Sequence, residues 1–235
     1  MRINKFIAEC GITSRRGADE LIKQGVVSVN GKITTELGLD VNPDVDKVFV
    51  QGKRVKLVNR QVYIMFYKPK GVICSASDEH GRKTVYDYLD IKQKLAIVGR
   101  LDYDSEGLLL LTNDGDMVNK LTHPSNKIPK TYLVKTEGEF TADEIKKLKG
   151  KVDIGEGEET SGANVVLLES GDGKSKLQIT LREGKNREIR RMCESLNKNV
   201  IFLKRIEIAG VRLGGLARGT YRYLTPREIN LLKKA

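Results

Sequence analysis

The stretch Gly99-Arg100-Leu101-Asp102-Tyr103-Asp104-Ser105-Glu106-Gly107 sets three carboxylates and an arginine between two apolar runs, Leu95–Val98 and Leu108–Leu111. Irregular segments held by rigid strands are where chemistry tends to sit. A carboxylate held there can act as a nucleophile or move a proton. The same residues would also serve as a solvated connection whose carboxylates cap turns, and residue types alone leave both readings open. Other common sites fail on their spacing. Gly173-Lys174-Ser175 ends like a phosphate-binding loop, but the first glycine would fall on Leu168. Gly155 and Gly157 lie in an acidic loop, not between a strand and a helix, so no dinucleotide fingerprint exists. Only His80 and His123 are present, too few for a histidine metal cluster and a poor basis for a Ser-His-Asp triad.

The elements that must position this segment can be read from hydrophobic spacing. Val62–Tyr67 reads as an apolar strand ended by Lys68-Pro69-Lys70-Gly71, because proline cannot continue a ladder. Leu108–Leu111 reads as a strand buried on both faces. Asn113-Asp114-Gly115 turns the chain into a short helix near Val118 and Leu121. Lys130–Thr136 is a strand, and Thr141 caps a helix through Leu148. Strands at Asn164–Glu169 and Lys176–Arg182 flank the turn Gly171-Asp172-Gly173. A helix over Asn186–Leu196 gathers Ile189, Met192, Cys193 and Leu196 on one stripe and Arg187, Arg191 and Glu194 on another, with Arg190 at the border. A last helix starts at Pro226. Upstream, helices at 3–9 and 14–24 precede a strand at Val26–Val29, an Asn30-Gly31 hairpin turn and a strand at Lys47–Val50. This first unit ends near Asn59–Gln61. Strands and helices alternate without regular βαβ repeats, so the expected fold class is α+β.

Charge adds a direction. The chain of 235 residues carries a formal net charge of +11. Residues 1–60 hold 11 basic and 7 acidic side chains, residues 61–181 hold 17 and 19, and residues 182–235 hold 14 and 5. A polyanion could therefore engage both ends of the chain. Arg2, Lys5, Arg15, Arg16 and Lys23 fall on or near the two N-terminal helices, where they can meet phosphates. Cys10, Cys74 and Cys193 are an odd, scattered set, which fits reduced thiols and neither a disulfide framework nor a paired zinc site. The opening residues lack the apolar stretch of a signal peptide, and no run approaches a membrane span. A cytoplasmic protein without a membrane partner is expected.

The segment around Asp102 resembles the signature of the RsuA/RluB family of pseudouridine synthases: Gly-Arg-Leu-Asp, then Asp, Ser, Gly and a run of leucines. The resemblance extends in order along nearly the whole chain. Lys68-Pro69-Lys70-Gly71 resembles the family's opening strand and turn. Lys130-Thr131-Tyr132-Leu133-Val134 resembles its tyrosine motif. Glu183-Gly184-Lys185-Asn186-Arg187-Glu188-Ile189-Arg190-Arg191-Met192-Cys193 resembles its third motif, with Glu188 where relatives often carry Gln. Residues 1–60 resemble the RNA-binding domain of the ribosomal protein S4 type. The resemblance thus implies a small α/β RNA-binding domain over 1–60. It implies a catalytic domain over 61–235, built on a mixed, mainly antiparallel sheet with flanking helices.

What it implies about chemistry is isomerisation of a uridine in structured ribosomal RNA, with no cofactor and no metal. Asp102 takes the place of the essential aspartate, and Arg190 that of the cation keeping it ionised in a sheltered pocket. Tyr132 is expected to stack on the target uracil. Arg100 is expected to fill the space left when the nucleotide flips out. Lys185, Arg187 and Arg191 are further RNA-binding candidates, while Asp104 and Glu106 are expected to be turn or surface groups. The surroundings of His123-Pro124-Ser125 and the loop through Gly155 look closer to large-subunit enzymes of the family than to small-subunit ones. The route, acylal or glycal, stays open, as does a non-catalytic RNA-binding protein on the same scaffold. A monomer is expected.

Overall fold

The computed structural model describes residues 1–57, 61–91 and 93–235. Of the expected junction Asn59–Gln61, Asn59 and Arg60 lie outside the described residues. Backbone contacts divide the chain into two units. The first is Met1–Val62 with Ile91–Ala96 and Asn113–Gly115, and the second is the remainder.

In the first unit, helices α1 (Ile3–Glu9) and α2 (Arg15–Lys23) pack on a four-stranded sheet. The strands are β1 (Val27–Val29), β2 (Lys32–Ile33), β3 (Val48–Val50) and β4 (Lys53–Arg54), in the order β2-β1-β3-β4. The Ser14 hydroxyl accepts the Gly17 N–H at 3.1 Å and so starts α2. Asn30 and Gly31 both take positive φ, 51° and 83°, which the tight β1–β2 turn requires. Ile3, Phe6, Ile7, Ala18 and Ile22 bury one face of the helices against Val27, Val48 and Val50.

The second unit is built on a nine-stranded sheet. Its strands are β5 (Tyr63–Lys68), β6 (Ala96–Val98), β7 (Glu106–Thr112), β8 (Lys130–Glu137), β9 (Asn164–Gly171), β10 (Lys174–Leu181), β11 (Val200–Ile208), β12 (Val211–Arg212) and β13 (Tyr221–Tyr223). The main path is β13-β5-β7-β11-β8-β10-β9, with β6 beside β7 and β12 beside β11. Strands β7 and β11 run parallel, whereas all pairs along the rest of the main path, and β11 with β12, run antiparallel, so the sheet is mixed and mainly antiparallel. Leu108, Leu109, Leu110 and Leu111 are each at most 2% exposed. Burying each contributes roughly 1.5–3 kcal/mol, which anchors β7 as a central strand.

Two hydrophobic cores hold this sheet. Helices α3 (Gly115–Thr122) and α6 (Pro226–Lys234) place Met117, Leu121 and Leu232 against Met65, Leu108 and Leu110. Helices α4 (Ala142–Lys149) and α5 (Glu188–Glu194) place Leu148, Ile189, Met192 and Cys193 against Val134, Leu177, Ile179 and Leu203. Reciprocal caps start two of these helices, Thr141 with Glu144 and Thr225 with Glu228. Helix α5 is shorter than its sequence pattern, because Arg187 takes a left-handed conformation (φ 48°) and ends the preceding loop. Among the described residues no helix is long and apolar enough to cross a membrane.

Candidate active site

The acidic segment is held from below by one buried lysine. Lys68, the last residue of β5, is fully buried, and its ammonium donates to the carbonyls of Pro69 (3.0 Å), Asp102 (2.9 Å) and Ser105 (2.8 Å). An ammonium has three donors, and here each has an acceptor. Burial pushes the Lys68 amine below its ordinary value, while Cys74 and the carboxylates of Asp102 and Asp104 push it back up. The Gly71 N–H donates to the Tyr103 carbonyl at 2.8 Å, and the Ser105 N–H to that of Asp102 at 3.1 Å. Lys68 and Gly71 of the turn after β5 thus fix the backbone that carries Asp102.

Strand β7 leaves this loop through Gly107. Its φ is +117°, and a Cβ there would stand 2.3 Å from the Arg205 carbonyl oxygen. Parallel pairing of Gly107 with Arg205 brings β7 and β11 this close. Only glycine meets both the conformation and the approach.

Asp102 is half-buried and opens onto a cleft of about 140 Å³. The lining includes Arg100, Lys130, Tyr132, Lys185, Arg187, Glu188 and Arg205. Strand β8 delivers Lys130 and Tyr132, strand β11 delivers Arg205, and the turn into α5 delivers the rest of the basic wall. Among the described residues the Asp102 carboxylate has no hydrogen bond or ion pair. Asp102 and Tyr132 therefore share one recess, and the carboxylate is uncommitted.

Arg190 differs from its expected place. It is buried, but its ion pair is with Asp104, at 2.9 Å, and not with Asp102. Its guanidinium also donates to the carbonyls of Val200 (3.0 Å) and Asp104 (3.4 Å). Rising from α5, it meets the far end of the loop, at Asp104 and Ser105, which draws it away from the cleft. Asp104 in turn is more than a turn group, since Arg187 also approaches it, at 3.7 Å. Glu106 is no surface group either. It is 2% exposed, accepts the Tyr67 hydroxyl at 2.6 Å and pairs with Arg218 at 3.1 Å.

Glu188 is buried in the cleft wall. Its Oε2 accepts the Lys185 N–H at 2.9 Å. Burial pushes its carboxyl up to about 8; that N–H favours the ionised form, and the neighbouring Glu183 carboxyl disfavours it. A neutral Glu188 combines a donor and an acceptor oxygen, as a glutamine combines its NH2 donors with a carbonyl oxygen.

The basic candidates separate into free and engaged groups. Arg100 is exposed on the cleft rim, and Arg15 and Arg16 are exposed at the start of α2. Among the described residues none of these three guanidinium groups has a carboxylate partner. Arg187 is exposed beside Asp104. Lys5 lies 3.6 Å from Glu9 and Lys23 2.9 Å from Glu20, while Arg2 bonds the Gly38 carbonyl and pairs with Asp40. Lys185 donates its ammonium to the Glu159 carbonyl. Arg191 does not fit the expectation of a free RNA contact. It is only 13% exposed and donates to the carbonyls of Ile154 and Gly155 at 2.8 Å each and to the Glu158 carboxylate at 2.5 Å. It fastens the loop before β9 to α5.

Sequence reasoning passed over Arg205 and gave Lys130 no role of its own. Lys130 precedes Tyr132 by two residues, so strand alternation alone puts both on one face. Arg205 sits in Leu203-Lys204-Arg205-Ile206, a strand pattern in which either basic residue could face inward, and only the register resolves which one does.

Comparisons with known proteins bear on this geometry. The model of the RNA pseudouridylate synthase family matches residues 62–195, and that of the S4 domain matches residues 1–46. The ribosomal large subunit pseudouridine synthase B of Bacillus subtilis is 45% identical over 99% of this chain and 95% of its own length. An uncharacterized RNA pseudouridine synthase of Aquifex aeolicus is 39% identical over 100% of this chain and 94% of its own. A crystal structure of a pseudouridylate synthase, 31% identical, aligns over 99% of both chains with a TM-score of 0.73.

Proposed function

The chain belongs to the RNA pseudouridylate synthase family, and from that premise we propose that it converts one uridine of large-subunit ribosomal RNA to pseudouridine, using Asp102. The observation that carries this reading is the shared recess: an unpaired, half-buried carboxylate opposite a tyrosine, walled by cations. The choice of large-subunit RNA is supported by the Bacillus subtilis relative, whose name specifies that subunit. An enzyme with this substrate works in the cytoplasm, where the RNA is.

The target atoms are hidden while the base is stacked, so the nucleotide must flip out, at a cost of a few kcal/mol. Arg100, exposed on the rim, takes the vacated place in the helix and offsets part of that cost. The ring of Tyr132 supplies a flat face for the uracil, worth about 1–3 kcal/mol. Asp102 then meets the sugar. A carboxylate can bond the anomeric carbon as the base departs or take the neighbouring proton, and both routes need it ionised. Lys68 keeps its backbone fixed, and the cleft wall brings Lys130, Lys185 and Arg187 to the same recess. Arg190 acts through Asp104, by holding the far end of the loop. In the first unit, Arg15 and Arg16 are the available phosphate contacts, and such domains read RNA shape and backbone more than base edges.

The test is a pseudouridine map of ribosomal RNA from cells with and without this protein. One large-subunit position should lose its pseudouridine in the deletion and regain it on re-expression. A loss confined to small-subunit RNA would move the substrate. Identical maps would favour a non-catalytic RNA binder.

A further inference from the structure

Arg205 lines the cleft although it is only 2% exposed. Its Nε donates to the Leu108 carbonyl at 2.8 Å and its Nη1 to the Arg100 carbonyl at 3.2 Å. The second acceptor belongs to the segment that carries Asp102, and the first lies in β7, just beyond it. With two nitrogens locked, the planar guanidinium cannot turn, so the direction of the third is fixed. That third nitrogen, Nη2, is buried without a hydrogen-bond partner among the described residues. No carboxylate among the described residues lies within ion-pair distance of Arg205. The fold thus keeps an unneutralised cation in the wall of the recess, which is costly to stability and needs a reason. Gly107 serves the same arrangement, since a side chain there would collide with the Arg205 backbone. The charge is felt nearby: after burial, Arg205 is the next cause lowering the amine of Lys130.

We infer that Arg205 donates Nη2–H to a ring oxygen of the flipped uracil and stabilises the base as an anion when its bond to the sugar breaks. This rests on the proposed function and adds a further residue that touches the substrate. In the step, the N1–C1′ bond breaks and its electron pair leaves with the uracil, spread over N1 and the two carbonyl oxygens. C1′ regains a pair either from a carboxylate oxygen of Asp102 or from the C2′–H bond as Asp102 takes that proton. The base turns, and C5 bonds C1′ with release of the carboxylate or return of the proton to C2′. The C5 hydrogen leaves as a proton and N1 gains one, so substrate and product have the same composition. Arg205 stays protonated throughout. It acts because a preorganised donor in a water-poor recess is strongest where charge develops.

The experiment uses full-length Arg205→Lys and wild type under single turnover. The substrates are RNA containing uridine or 5-fluorouridine at the target, and rearranged nucleoside is measured by digestion and mass spectrometry. Fluorine makes the departing base a more stable anion, so its departure depends less on Arg205. Arg205→Lys should slow the uridine reaction about 10²-fold and the fluorinated one less than about tenfold, with RNA affinity unchanged. Equal slowing of both substrates, or wild-type rates on both, would overturn the inference. Lysine keeps a cation of similar reach, so a thermal midpoint within about 5 °C of wild type is expected. A variant that fails to fold would assign Arg205 to the scaffold and also overturn it. If wild type itself leaves uridine unchanged, the proposed function falls instead.

Discussion

Asp102 and Lys68 divide one task between a side chain and the backbone that carries it. In the proposed reaction the carboxylate meets the substrate, and the ammonium, bonded to three carbonyls, sets where that carboxylate stands. Lys68→Met would take a donor from each of those carbonyls and leave the loop free to shift by about 1 Å, a displacement that can cost about 10²-fold in rate. We expect kcat to fall on that scale with RNA affinity within about threefold, read by single-turnover assay and filter binding; unchanged kcat would remove Lys68 from the account. That Asp102 and Tyr132 belong to one place was legible in the sequence, because each sits in a short motif, and both line one recess. The partner of Arg190 was not, since helical spacing gives only the face a side chain occupies, not which of two carboxylates two residues apart it reaches. The burial of Glu106 was equally hidden, because its partners Tyr67 and Arg218 are remote in sequence.

Strand pairing and helix starts make the second unit's precision. Gly107→Ala would force a Cβ against the backbone of β11 and strain a left-handed φ. The cost should be at least about 2 kcal/mol, a fall in thermal midpoint of roughly 4–8 °C, measurable by calorimetry; an unchanged midpoint would deny the close approach of β7 to β11. Helix α5 offers a pH test. The Glu188 carboxyl is held up to about 8, against an ordinary 4.5, chiefly by burial. The folded state therefore keeps its proton where the unfolded chain has lost it, and stability falls as pH rises from 4.5 to about 8, then levels. Glu188→Gln removes that loss, so its advantage in thermal midpoint should grow between pH 5 and pH 8; a constant difference would mean that Glu188 is ionised throughout. Hairpins, caps and the leucine run were readable, because turn chemistry and unbroken burial leave local marks. The parallel β7–β11 pair was not, since nothing local records which distant strand a buried strand meets.

Over the whole chain, the basic excess at the two ends gave an early sign of a polyanionic partner, and the fold refines it. Arg191 and Lys185, counted in that excess, are occupied within the protein, whereas Arg15, Arg16 and Arg100 are open. Charge totals cannot make this distinction, because they do not record which cations the protein's own carbonyls and carboxylates already hold. Arg15→Gln with Arg16→Gln should weaken RNA binding and lower the slope of log affinity against log salt by about 1 for each phosphate no longer neutralised. Filter binding across a salt series reads it, and an unchanged slope would free those residues of an RNA role. The pseudouridine map decides which RNA is modified, but the proposed chemistry turns on one side chain.

The most direct measurement is tritium release from ribosomal RNA labelled at C5 of uridine, since that hydrogen must leave when C5 becomes the glycosidic carbon. Wild type should release one equivalent per target. Asp102→Asn, bound to the same RNA with similar affinity, should be slower by more than about 10³-fold. Release by Asp102→Asn at the wild-type rate would contradict the account.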